Sequence, residues 1–413
     1  MQAVELTSEE LADIKEAVRS RLAWDEEISD DALRKRIETE LFVRERSRSM
    51  TAAQRKAAVE RLFHSFRGLD ALHPLLEDPE ITEIMINRYD EIYYEKQGAL
   101  MMSDIGFASP ERLEDLIQGI VGRVNRMVNE SSPIVDARLP DGSRVHVVLP
   151  PIALKGPCVT IRRFPSQPMS MRELLAAGAL TEEAARLLQL LVAAKYNLFI
   201  SGGTGSGKTT FLGALSEWIP TGERIVTIED AAELRLCGAA NLVSLETRNA
   251  NSEGKGRITT ADLIRASLRM RPNRIIVGEV RGAEALDMLQ AMNTGHEGSL
   301  STGHANSPKD MLSRLETMVL SGADLPVHVV RKQMASALDV IVHVSRFRDG
   351  SRKVAEICEV AGMEEGEVML RPLFQFEEAR SSDGRVRGAL TKVGELADTR
   401  KLRFAGMRED AVG

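Results

Sequence analysis

Hydrophobic and polar positions follow three textures along the chain. Near the start, Leu11, Ile14, Val18 and Leu22 recur at helical spacing behind Thr7 and Glu10, a pair spaced as in a capping box. SDDALRKRIETELFVRE and TAAQRKAAVERLFHSF predict further helices whose charges form a solvated face, so residues 1–66 read as a helical N-terminal region. The texture changes near Leu75. ITEIMIN, RYD and EIYYEK read as strand, turn and strand. ERLEDLIQGIVGRVNRMVNE places Leu113, Leu116, Ile117, Ile120, Val124 and Met127 on one helical stripe. RVHVVLP turns Val145, Val147 and Leu149 to one side, and CVTIRRF alternates too. Residues 67–165 are therefore expected to form an α+β domain.

PSQPMS, with two prolines and two serines, predicts a linker over 166–170. From Met171 strands and helices alternate, as in a parallel α/β domain, and 171–345 is expected to be one. Residues 346–413 read as a small β-rich appendage with a tail. No internal repeat or low-complexity tract is present.

Composition narrows the classes. At about 100–200 residues per domain, 413 residues predict two to four domains, and 43% hydrophobic residues supply more than one core. A net charge of −7 disfavours a passive nucleic-acid binder, so no direct nucleic-acid partner is expected. Cys158, Cys237 and Cys358 lie far apart, with no CxxC pair for zinc and no disulfide framework. The opening MQAVELTSEELADIKEAV lacks a signal-peptide core. The best apolar run, LLQLLVAAKYNLFI, is too short to span a bilayer and carries Lys195. The expectation is a cytoplasmic protein whose membrane association is peripheral, through partners.

The strongest chemical signal is GGTGSGKTT, comprising Gly202, Gly203, Thr204, Gly205, Ser206, Gly207, Lys208, Thr209 and Thr210. It fits G-x-x-x-x-G-K-[ST] between an apolar strand, YNLFI, and an amphipathic helix, TFLGALSEWI, stopped at Pro220. Glycines let backbone N–H groups turn inward around a β-phosphate, and the helix N-terminus adds positive partial charge. Lys208 is placed to reach the β- and γ-phosphates, and Thr209 to offer its hydroxyl to Mg²⁺. ATP and Mg²⁺ are the cofactors implied.

Such a loop needs acids nearby. RIVTIED is an apolar strand ending in Glu229 and Asp230, with Glu233 just beyond; these three share with Thr209 the expected metal contacts, although a loop after a strand is often acidic anyway. RIIVGEVRG delivers Glu279 to the carboxyl end of a buried strand, where α/β sites lie. Many P-loop enzymes have Asp where Gly278 falls, so Glu279 is the carboxylate expected to polarise water. In MNTGHEGSLSTGHANS, GSLST reads as a strand flanked by His296 and His304, and neither histidine has a metal-ligand spacing. His304 is a candidate to bond the γ-phosphate or a catalytic carboxylate.

With SSPIVDARLPDGSRVH, IRRF, SGGTGSGKTT, TIEDAAEL, LRMRPNRIIVGEVRGAEALDMLQAMNTGHEGSLSTGHANSP and SRLETMV assembled, the chain resembles the type II/IV secretion ATPase superfamily. Within it the CpaF-like ATPases of Flp/Tad pilus assembly are the nearest match, over roughly residues 69–363. The resemblance implies a PAS-like N-terminal domain linked to a RecA-like P-loop motor domain, in a homo-hexamer with ATP between the domains. It places Glu229, Asp230 and Glu233 in an acidic box, Glu279 in an atypical Walker B segment, and His296 to His304 in a histidine box. It implies arginines from the N-terminal domain: Arg138 and Arg144, with Arg162 and Arg163 as further candidates. Two positions depart from the pattern, Asn273 where an acid is expected and Gly303 where a β-branched or aliphatic residue is expected. Neither touches the phosphate loop or Glu279, and the zinc-binding cysteine motif of some relatives is absent.

The function implied is a motor ATPase driving an inner-membrane platform protein of a pilus or secretion system. The alternatives are a RecA-like nucleic-acid translocase, a type IV secretion ATPase for DNA or effectors, and a nucleotide-switched scaffold. The acidic balance weighs against the translocase, and intact Lys208, Thr209 and Glu279 weigh against the scaffold.

Overall fold

The computed structural model describes residues 8–21, 29–43, 50–67, 72–124, 126–163, 168–236, 238–250, 255–379 and 385–407. The chain divides into two compact units, Met1–Ser166 and Gln167–Gly413.

The first unit opens with helices α1 (Ser8–Ser20), α2 (Asp30–Val43) and α3 (Ala52–Arg67), which share a small core of their own. Ile14 and Val18 are fully buried in it, as their spacing predicts. Thr7, Leu22 and the Leu11 side chain lie outside the described residues. After α4 (His73–Glu77) come β1 (Ile81–Arg88), β2 (Glu91–Lys96), β3 (Ala99–Met102), α5 (Pro110–Arg123), β4 (Ile134–Arg138), β5 (Arg144–Val148) and β6 (Cys158–Arg162). The strands form one antiparallel sheet in the order β3-β2-β1-β6-β5-β4. Leu113, Leu116, Ile117 and Ile120 of α5 pack with Val145, Val147, Val159 and Ile161 of the sheet in one core. The expected stripe is shorter than its periodicity. α5 ends at Arg123, just after Gly119 and Gly122, both poor helix formers, and Val124 and Met127 are exposed.

The second unit runs α6 (Met171–Ala176), α7 (Glu182–Ala193), β7 (Leu198–Gly202), α8 (Lys208–Ser216), β8 (Arg224–Glu229), β9 (Asn241–Glu246), α9 (Thr260–Ser267), β10 (Arg274–Val277), α10 (Glu284–Asn293), β11 (Leu300–His304), α11 (Pro308–Gly322), α12 (Val327–Ala337), β12 (Val340–Arg346), β13 (Arg352–Glu364), β14 (Glu367–Ala379), β15 (Arg387–Lys392) and α13 (Arg400–Phe404). All nine strands join one sheet, β15-β14-β13-β12-β7-β11-β10-β8-β9. From β12 to β9 the pairs are parallel, and beyond β12 they are antiparallel. Alternate strand residues point into two cores. Leu198 and Ile200 pack with α7 and α8, while Phe199 packs with α10 and α11. The fold of the second unit is the α/β, RecA-like architecture expected from the sequence, and the first unit is α+β. The β-rich C-terminal segment is continuous with the motor: β13 pairs along β12 and extends the same sheet.

Two expectations differ in detail. Ser170, read as linker, caps α6 in a capping box with Glu173, whereas residues 166–167 of that linker lie outside the described residues. The helix after the phosphate loop ends at Ser216, short of Pro220, and is buried almost all round because it lies against the sheet under α7. Among the described residues no helix is long and apolar enough to cross a membrane.

Candidate functional site

The carboxyl ends of β7, β8, β10 and β11 converge on one place in the second unit. β7 ends at Gly202, where a side chain would begin 2.3 Å from the Val344 carbonyl oxygen and 2.6 Å from Ser206 Oγ. Only glycine fits there. Gly207 stands at the N-cap of α8 in the left-handed region, φ 93°, and turns the chain into the helix. Lys208 is buried, and its Nζ donates to the carbonyls of Gly202 (3.1 Å) and Gly203 (2.9 Å) across the loop. Burial lowers its pKa, the Glu279 carboxylate partly offsets this, and Arg281 adds to it. An anion on the loop restores what burial withholds. Thr209 is half-buried on the first turn of α8, while Gly203, Thr204, Gly205 and Thr210 are exposed. The Ser206 hydroxyl is buried with no partner.

Glu279 lies two residues past β10 and is fixed from both sides. His304 Nε2 lies 3.1 Å from its Oε1, and Arg281 donates to its Oε2. Arg281 also reaches Asp230 Oδ2 at 3.3 Å, linking the two acidic segments. Burial lowers the His304 pKa, the charge of Lys208 lowers it further, and Glu279 opposes both. A neutral ring facing a carboxylate carries its proton on Nε2, leaving Nδ1 as an acceptor.

Glu229 fills the space that Gly278 leaves. A side chain at Gly278 would begin 2.8 Å from Glu229 Cγ and 3.4 Å from its Oε1, so the Glu229 side chain from β8 lies over the bare backbone just past β10. Its Oε1 accepts the N–H groups of Glu233 (3.0 Å) and Leu234 (2.9 Å), and its Oε2 is buried with no hydrogen-bond partner. Burial raises its pKa to about 7 against those two bonds.

The expected acidic cage for Mg²⁺ does not form as a cluster. Among the described residues no three His, Cys, Asp or Glu side chains are grouped to hold a metal. Glu229 turns inward, Asp230 is tied to Arg281, Thr247 and Thr260, and Glu233 meets Glu229 through its backbone N–H. A magnesium ion on phosphates needs only one or two protein ligands. The bare Glu229 Oε2 and the half-buried Thr209 hydroxyl are oxygens of the kind such an ion takes.

The two histidines part company. His304 ends β11 beside Glu279, whereas His296 precedes Leu300 at the opposite end of that strand, its carbonyl taking the Ser299 hydroxyl. The expected strand GSLST is displaced two residues, to Leu300–His304, which carries His304 into the site. Both departures from the family pattern have a physical reason. Asn273 Oδ1 accepts the Arg224 N–H at 2.8 Å, a task that needs an oxygen but no charge. Gly303 has no room for a side chain, because Phe199 and Met311 would lie within 2.9–3.0 Å of it.

In the first unit Arg138, Arg144 and Arg162 stand in register across β4, β5 and β6. Arg144 lies 3.6 Å from Asp136. Arg163 donates to the Asp78 and Ile81 carbonyls and braces the sheet, which removes it from the candidate arginines. Sequence reasoning missed Arg281, although its place two residues after Glu279 is the signal that points to it.

The profile of the Type II/IV secretion system protein family matches residues 67–393. The chain belongs to this family. A putative conjugal transfer protein of Mycobacterium tuberculosis is 38% identical over 323 residues, covering 76% of this chain and 91% of that protein. The type IV secretion system protein PtlH of Bordetella pertussis is 36% identical over 332 residues, covering 74% and 96%. The Legionella pneumophila ATPase DotB, at 22% identity and a TM-score of 0.51 over 69% of this chain and 78% of that one, shares the fold. The matched span contains the described strands of both units, β1 to β15, and leaves α1, α2 and α13 outside it.

Proposed function

We propose that the chain is an ATP-hydrolysing motor, acting as a ring of six at the cytoplasmic face of the inner membrane, where it drives a platform protein of a pilus or secretion system. The observation that carries the chemistry is Glu279, held between His304 and Arg281 at the end of β10, with its charge acting on Lys208 of the phosphate loop. Gly202 to Thr210 bind the ATP phosphates through backbone N–H groups and Lys208. Thr209 and Glu229 would hold Mg²⁺, which neutralises phosphate charge when bound. Glu279 orients a water and takes its proton as the new oxygen–phosphorus bond forms, while the bond between the β,γ-bridging oxygen and the γ-phosphorus breaks and ADP leaves. His304 donates to Glu279 and fixes its angle of approach. Arg138 and Arg144 are the proposed mobile cations for charge developing on the phosphoryl group.

The subtype proposed is CpaF-like, serving Flp/Tad pilus assembly. Relatives named for conjugal transfer and type IV secretion support a second reading, a type IV secretion motor with the same chemistry.

The test is ATP hydrolysis by the full chain across protein concentrations, beside Lys208→Ala. Turnover per chain is expected to rise as the ring assembles, and the variant to lose both ATP binding and hydrolysis. Undiminished hydrolysis by Lys208→Ala would overturn the site, and turnover independent of dilution would overturn the ring.

A further inference from the structure

The hairpin joining β12 to β13 brings two arginines to the rim of the phosphate loop. β12 runs parallel to β7 and pairs Val344 with Gly202, so its end lies beside the start of the loop. Two residues on, Arg346 stands directly opposite Arg352 at the start of β13. Arg352 Nε donates to the Gly205 carbonyl at 2.9 Å. A side chain at Gly205 would begin 3.8 Å from Arg346 Nη1, and one at Gly207 would begin 3.4 Å from Arg352 Cδ. Bare loop backbone therefore faces both guanidinium groups.

Neither arginine has a carboxylate partner among the described residues, which sets them apart from their neighbours. Arg348 pairs with Glu378, Arg371 with Glu359, and Arg331 with Glu316 and Glu367. The acid of the hairpin turn, Asp349, is taken by Ser351 and the Val386 N–H. Like charges directly opposite on paired strands repel. Here two exposed guanidinium groups are held together beside a loop shaped for an anion, and a phosphate between them would remove the repulsion and accept charge-assisted hydrogen bonds.

We propose that Arg346 and Arg352 are nucleotide-binding residues that contact the polyphosphate on the loop. The proposal rests on the reading of Gly202–Thr210 as an ATP site. Strand order says which phosphates they meet. β12 flanks β7 on one side, and β11, with His304, flanks it on the other. Glu279 and His304 mark the side of the bond that is cleaved. The arginines face the phosphates that remain in ADP, so they hold nucleotide before and after hydrolysis.

The experiment is calorimetric titration of ADP, and of ATP on a time scale short of turnover, into the full-length protein and its Arg346→Ala and Arg352→Ala variants at two salt concentrations. Each substitution is expected to weaken ADP and ATP alike by about tenfold, the size of a lost charge-assisted hydrogen bond. Each is also expected to flatten the salt dependence of binding, which a merely structural role would leave steep. Arg346 makes no hydrogen bond to the loop, so its variant carries the test if loss of Arg352 disturbs loop geometry. Variants that bind ADP as the parent does would overturn the proposal while leaving the phosphate loop standing. So would weakened binding with an unchanged salt slope, or a loss of assembly alone, which would assign the pair to a contact between copies. A parent that binds neither nucleotide would overturn the ATP site and this proposal with it.

Discussion

Glu229 sits at the end of β8 with one carboxylate oxygen held by two backbone N–H groups and the other bare. Burial lifts its pKa to about 7, above that of an unfolded glutamate. Between those two values the folded state holds a proton that the unfolded chain has released. This contribution to stability is full below the unfolded pKa and is lost as pH rises through about 7. Glu229→Gln, which cannot ionise, is expected to remove that loss. Denaturant unfolding of parent and variant at several pH values should show the parent falling relative to the variant by up to about 3 kcal/mol from pH 4.5 to above 7. Parallel stability profiles would mean that Glu229 is charged throughout. The placement of the Gly202–Thr210 loop between β7 and α8, and of Glu279 just past β10, was legible because both signals are local, a motif between a strand and a helix and an acid after an apolar run. Glu229 as the occupant of the space beside Gly278 was not legible, since that depends on two neighbouring strands. Arg352 was not legible either, because its contact with Gly205 joins residues far apart in the chain.

Among the elements, the sheet strands were the most readable. The runs RIIV, RIVTIE and LFISG became β10, β8 and β7 because continuous apolar stretches suit strands buried on both faces. Helix ends were less so. The apolar stripe of α5 outlasts the helix, and α8 was read as amphipathic although the second helical layer over it buries its outer face. β11 explains a residue that sequence comparison alone marks as odd. Gly303 has Phe199 from β7 and Met311 from α11 in the volume a side chain would fill. Gly303→Val, the type of residue the family pattern favours, is therefore expected to destabilise this chain by about 1–3 kcal/mol through overpacking. A melting curve checks it, and a variant as stable as the parent would show that Phe199 and Met311 yield without strain. Because His304 ends the same strand, the variant should also slow ATP turnover.

At the scale of the whole molecule, the first unit holds two hydrophobic cores, one among α1, α2 and α3 and one between α5 and its sheet, and the second unit holds two more, into which alternate residues of its strands point. The attachment of the C-terminal strands was hidden. Nothing in the pattern of β13 and β14 says that they extend the motor sheet, and the register against β12 decides it. That extension places Arg346 and Arg352 beside Gly205 of the loop, where the proposed nucleotide contacts would lie. In the proposed mechanism a single carboxylate, Glu279, turns nucleotide binding into hydrolysis. The most direct measurement is ATP binding and phosphate release by the assembled Glu279→Gln protein. The amide keeps the shape of the side chain and loses its basicity, so ATP affinity is expected to stay within a few-fold of the parent while phosphate release falls by about 100-fold or more. Phosphate release at the parental rate would contradict the assignment of Glu279 and with it the mechanism proposed for this site.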